Sequence, residues 1–125
     1  MGIVDELQAL RWTEGLIEAL VEEQGHLEML KKSCRGLKKG KYLEGRLANI
    51  QIKLQDEVES YIGLREEVLE NLQKLTDRRM RLVLELRYVN YLSWQEIAKR
   101  TGFSRRHVLR INEMGLKKLE IMEKN

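Results

Sequence analysis

Over the first thirty positions the apolar residues Ile3, Leu7, Leu10, Leu16, Ile17, Leu20, Val21, Leu27 and Leu30 recur largely at three- and four-residue steps. That spacing is helical. Asp5 and Glu6 stand at its start and Lys31 and Lys32 at its end, where the helix dipole favours them. The pattern predicts a helix over about 3–31, weakened but not ended by Gly15 and Gly25. A longer pattern begins near Tyr42 and runs through Leu43, Leu47, Ile50, Leu54, Val58, Tyr61, Arg65, Val68, Leu72 and Leu75. Its steps of three and four resemble a coiled-coil seam and predict a helix over about 42–75, with Gly63 as a place for a kink. Between the two, Lys31 to Lys41 holds six positive charges and two glycines, with Cys34 and Leu37 as its apolar side chains, and reads as a loop. Neither helix buries its stripe alone, so the pair is expected to fold back as an antiparallel hairpin.

The pattern changes after residue 75. Thr76 is a candidate N-cap for a helix over about 77–89, which carries Met80, Val83, Leu84, Leu86 and Val89. Ser93-Trp94-Gln95-Glu96 has the capping-box arrangement, in which the serine and the glutamate three residues on satisfy each other's free backbone donors. A helix over about 94–101 follows and stops at Gly102, a residue suited to the left-handed C-terminal position. Ser104 then caps a helix over about 104–123, with Val108, Ile111, Leu116 and Leu119 on its inner side. Ala98 is small where a second helix crosses close by, Gly102 supplies the bend, and Ile97, Val108 and Ile111 supply a shared core. This is the pattern of a helix-turn-helix, whose second helix presents its N-terminal residues to the DNA major groove. Arg105, Arg106, His107 and Arg110 are expected on the exposed side, with Asn112 at the margin.

Composition narrows the fold class. The 125 residues contain no proline and seven aromatics, and 34% are charged, which favours long amphipathic helices over a sandwich or barrel. The expected class is all-α, a long antiparallel helical hairpin over 1–75 followed by a helix-turn-helix domain over 76–125. One cysteine, no basic-then-apolar leader and no apolar run of about 18 residues lead to the expectation of a cytoplasmic protein that does not enter a membrane. The net charge of +3 is unevenly spread: residues 1–75 carry −3 and residues 76–125 carry +6. A basic C-terminal part points to a polyanionic partner.

Other constellations fall short of a chemistry. Gly36-Leu-Lys-Lys-Gly40-Lys41 is one residue too short for a phosphate-binding P-loop, has Tyr42 in place of the needed Ser or Thr, and follows no strand. His26, Cys34 and His107 lack partners at metal-ligand spacing. No nucleophile, metal set or acid–base pair emerges, so the expectation is a protein without enzymatic activity, cofactor or metal. Tyr88 and Trp94 read as core or interface residues, and Trp12 as a helix-pair or dimer contact.

The stretch from about Leu72 to Leu119 resembles region 4 of sigma-70-type factors. The residues that carry the likeness are Arg81-Leu-Val-Leu-Glu-Leu-Arg-Tyr88, Ser93-Trp-Gln-Glu-Ile-Ala98, Ser104-Arg-Arg-His-Val-Leu-Arg-Ile111 and Gly115-Leu-Lys-Lys-Leu119. The chain as a whole is similar to phage-encoded regulators of the ArpU and RinA type, which implies promoter-proximal DNA binding and control of phage or prophage genes in a bacterial host cell. Sigma recognition helices usually carry an acidic residue where Arg106 stands and a basic one where Leu109 stands, so the ordinary promoter element is in doubt as the target. The sigma regions that melt DNA are lacking, so a complete sigma factor is not expected.

These readings together give a sequence-specific regulator of double-stranded DNA. Arg105, Arg106 and Arg110 approach base edges, Ser104 and His107 assist, and Lys99, Arg100 and Arg78 contact phosphates. The hairpin is expected to dimerise, since two half-sites multiply a limited affinity. Two other readings remain open: an interaction module that docks on RNA polymerase, and a DNA-packaging protein of the small-terminase kind.

Overall fold

The computed structural model describes residues 2–34 and 38–124. Among them lie five α-helices and no strand: α1 (Ile3–Ser33), α2 (Lys38–Gln73), α3 (Arg78–Leu84), α4 (Trp94–Thr101) and α5 (Arg105–Glu123). A π-helical turn, Glu85–Val89, continues α3. The loop expected over 31–41 is shorter than its charge suggested, because α1 runs on to Ser33 and α2 already starts at Lys38. Lysine is a good helix former and its charge is solvated on a helix as well as in a loop. Residues 35–37 lie outside the described residues. Gly63 does not divide the second helix, which passes through it without a break.

The chain forms two compact units, and they do not part at residue 75 as expected. One comprises residues 1–11 with 63–125, and the other residues 12–62. Burial explains the shift. In the first unit Ile3, Leu7 and Leu10 of α1 and Val68 and Leu72 of α2 are as deeply buried as the helix-turn-helix core. Ile3 shares a small cleft with Asn71, Leu119 and Met122. The Ile3 backbone N–H donates to Glu123 at the other end of the chain, and Asn71 Nδ2 donates to Glu6 Oε2 at 3.1 Å. The first turns of α1 thus complete the core of the C-terminal domain.

Within that unit each helix starts on a specific cap. Asp77, not Thr76, caps α3: its carboxylate accepts from the Arg79 N–H at 2.8 Å and the Met80 N–H at 3.4 Å. Asp77 is the better acceptor because its charge also meets the positive end of the helix dipole. Ser93 and Glu96 form the expected capping box at 3.1 and 3.3 Å. Gly102 adopts φ 78°, and its N–H closes α4 on the Ala98 carbonyl at 2.9 Å. Ser104 Oγ accepts from the His107 N–H at 3.1 Å and starts α5.

The uninterrupted helix expected over 77–89 is modified in its last turn. There the Asn90 N–H reaches the Glu85 carbonyl at 3.1 Å, an i to i+5 bond. The wider turn ends the helix while keeping Leu86 and Val89 buried. Tyr91 follows at φ 57°, a conformation costly for a side chain with a Cβ. Its neighbours hold it there: the Leu92 N–H bonds the Leu86 carbonyl at 3.0 Å, and the Arg11 guanidinium lies 5.5 Å from the Tyr91 ring centre.

The second unit is a pair of helical segments from α1 and α2. Their direction is antiparallel, as Arg46 with Glu23 at 3.5 Å and Lys31 with Glu44 at 3.6 Å require. Leu43, Leu47 and Ile50 are buried there, whereas every buried residue of α1 precedes Arg11.

Candidate nucleic-acid interface

The helix-turn-helix is built on one apolar cluster. Val83, Leu86, Ile97, Val108 and Ile111 are buried together, with Met80, Leu92, Trp94, Ala98 and Phe103 packed around them. Trp94 also carries the Arg87 guanidinium 4.3 Å above its ring, and Arg87 Nη1 donates to the Leu92 carbonyl at 3.0 Å. Arg87 therefore stacks and braces the turn before α4 and is not available as a groove cation.

Gly115 sets how close α5 comes to α3. A Cβ placed on it would stand 2.9 Å from Leu84 Cδ1 and 3.4 Å from Met80 Cβ. Glycine is otherwise unfavourable inside a helix. Its place in the middle of α5 is the mark in the sequence of a close helix crossing.

With the inner face fixed by Val108, Ile111, Asn112, Gly115 and Leu119, helical spacing fixes the opposite one. Arg106, Arg110, Glu113 and Lys117 follow at steps of 4, 3 and 4, and all four are exposed. Arg106 and Arg110 are the expected pair, one turn apart on the outward face. Arg105 is exposed as the first residue of α5, in line with the inner face, and Leu109, 37% exposed, lies beside the outward one. Glu113 and Lys117 were not among the expected site residues; their signal in the sequence is the i+7 and i+11 spacing from Arg106.

Two expected contacts are placed differently. Asn112 is only 8% exposed, and its side-chain carbonyl accepts from the Tyr88 hydroxyl at 3.0 Å. It belongs to the inner face and not to the groove margin. Burial raises the Tyr88 pKa, and the bond to Asn112 opposes that rise in part. His107 is half-buried, with its ring edge-on to Phe103 at 4.9 Å between centres. It flanks the recognition face and is held there by packing.

The remaining candidates are distributed over three helices. Lys99 and Arg100 are exposed on the last turn of α4, just before the bend, where cations also suit the negative end of the helix dipole. Arg78 is exposed on the first turn of α3. Ser104 is committed to capping α5. The Glu96 pKa is lowered because Ser93 donates to its carboxylate, and the same bond closes the capping box.

This geometry presents two guanidiniums on a rigid outward helix face, with further cations at the end of the preceding helix. Guanidinium forks match guanine O6 and N7 and also phosphate oxygens. Residues 72–120 match the family described as sigma-70, region 4. No curated protein and no solved structure matches the chain. Residues 72–120 are thus a sigma-70 region 4-like helix-turn-helix, of a DNA-binding kind. Among the described residues no helix is long and apolar enough to cross a membrane.

Proposed function

We propose that the chain is a sequence-specific DNA-binding transcriptional regulator of phage or prophage genes, without enzymatic activity, and that it acts as a dimer held by the helical hairpin. The observation that carries the DNA reading is the outward stripe of α5, with Arg106 and Arg110 one turn apart opposite a buried face. α5 enters the major groove by its N-terminal half. Arg106 and Arg110 reach base edges, Leu109 offers an apolar contact of the kind that thymine methyl groups take, and Arg105, Lys99, Arg100 and Arg78 meet phosphates. RNA polymerase is a second partner under this reading, favoured by the match to sigma-70, region 4.

Selection from random duplex DNA, followed by anisotropy titration at several salt concentrations, tests the proposal. The expected result is an enriched motif, and binding weakened about 10- to 100-fold by Arg106→Ala or Arg110→Ala. Variants that bind like the parent chain would overturn it.

A further inference from the structure

The unit of residues 12–62 leaves apolar side chains of α1 uncovered at both its ends. Trp12 is 74% exposed, and Leu16 and Ala19 follow it on the same side of α1 at steps of 4 and 3; Glu23 and His26 continue that side before the exposed Leu30. No residue of α1 beyond Leu10 is buried. A two-helix pair has no second layer to bury these side chains.

Charge identifies what fits it. The half of the hairpin that includes its turn, residues 28–47, carries seven Lys or Arg against Glu28 and Glu44, a net +5. The other half, residues 12–27 and 48–62, carries seven Asp or Glu against Lys53, a net −6. Over the whole unit the two nearly cancel, so an excess of one sign in a partner is not required. The needed partner is one with the same two charges in the opposite direction. At the basic end Lys32 and Lys41 border a groove with Lys31, which pairs with Glu44, and with Glu28.

We propose that the hairpin pairs with the hairpin of a second copy running in the opposite direction, with each basic end on the other's acidic end and the exposed Trp12 of each copy toward Leu30 of the other. This deepens the dimer reading above and rests on it. A two-fold axis across the hairpin makes one patch complementary to itself. Pairing in the same direction would set +5 against +5 and −6 against −6, a like-charge arrangement that interfaces avoid.

The test uses the full chain, native mass measurement, and spin labels on Cys34, the single cysteine. Opposed pairing places the two labels about 30 Å or more apart, from the 1.5 Å rise per residue between Trp12 and Cys34. Pairing in the same direction brings them together. One variant carries Lys38→Glu, Lys39→Glu and Lys41→Glu, the other Glu18→Lys, Glu22→Lys and Asp56→Lys. Each alone is expected to weaken self-association at least ~10-fold, and their mixture to form a one-to-one dimer in which an unaltered basic end meets an unaltered acidic end.

A dimer with closely spaced labels overturns this inference and leaves the dimer reading standing; a monomeric parent chain overturns both. If the lysine variant keeps its mass but loses salt-sensitive affinity for DNA, the basic end is a phosphate contact and the inference fails.

Discussion

The Tyr88 hydroxyl donates to Asn112 Oδ1 at 3.0 Å and ties the π-helical turn to α5 inside the domain. Both partners are removed from solvent to a large degree, so neither finds water as an easy substitute. Tyr88→Phe leaves the Asn112 carbonyl without this donor and should cost about 1 kcal/mol, read from denaturant midpoints at constant m-value. Burial raises the Tyr88 pKa, so the contribution of the neutral hydroxyl is complete below the ordinary tyrosine value and is lost as pH rises through the raised one. The parent chain should therefore lose stability in that alkaline range more steeply than Tyr88→Phe.

Gly115 and Gly63 form a matched pair of helical glycines in the same unit. Gly63 has open space around an added Cβ, so Gly63→Ala should stabilise by about 0.5–1 kcal/mol through helix propensity. At Gly115 the added carbon stands 2.9 Å from Leu84 Cδ1, and Leu84 is fully buried. Overpacking costs about 1–3 kcal/mol and outweighs the propensity gain. Thermal melts of the two variants should shift in opposite directions, and a Gly115→Ala chain as stable as Gly63→Ala would show that α3 and α5 separate easily.

Glu6 is 7% exposed, and its pKa is raised by desolvation and then by the nearby charge of Glu67, with Glu123 adding to the rise and the Asn71 bond opposing it. An acid raised in the folded state favours folding most below its ordinary range, and that contribution is lost as pH rises through the raised value. Glu6→Gln keeps an acceptor for Asn71 without the charge. It should be more stable than the parent by up to about 1 kcal/mol near neutral pH, and the difference should vanish below the ordinary glutamate range. Parallel melts across that pH interval check both the sign and the convergence.

Much of the helix-turn-helix domain was legible because its signals are local. The Ser93–Glu96 box, Gly102 and the Ser104 cap each act within a few residues, and the helix starts follow from them. Thr76 was expected as the cap of α3 and Asp77 takes that place, since both have capping side chains and only the bonds to Arg79 and Met80 decide. The place of residues 1–11 was hidden for another reason. Ile3, Leu7 and Leu10 continue the stripe of α1 without interruption, and helical periodicity does not say which partner a given turn meets. Their joining residues 63–125 depends on contacts such as that of Ile3 with Glu123, which lie 120 positions apart. Asn112 was misplaced for a related reason: a polar residue near the exposed arginines looks exposed itself until Tyr88 is seen to satisfy it.

Charge was partly misleading as well. A division at residue 75 suggested an acidic assembly segment and a basic reading head. Grouped by compact unit, residues 12–62 carry −1, and the rest of the chain carries the remaining +4. The sharper contrast lies within the hairpin, between its two ends.

The last prediction concerns Glu113, the first acid on the outward stripe of α5. It lies eight residues after Arg105, about 12 Å along the axis, comparable with the width of the major groove. When the N-terminal turns of α5 fill the groove, Glu113 comes to the phosphate wall and opposes it. Glu113→Gln should therefore raise affinity for selected and random duplexes alike, by about 2- to 5-fold at low salt, and the gain should shrink as salt screens the repulsion. Lys117→Ala, one turn further, should lower affinity uniformly and flatten the salt dependence by about one phosphate contact. Should Glu113→Gln instead weaken only the selected sequence, the carboxylate is accepting from a base, and α5 lies more deeply in the groove than its N-terminal half.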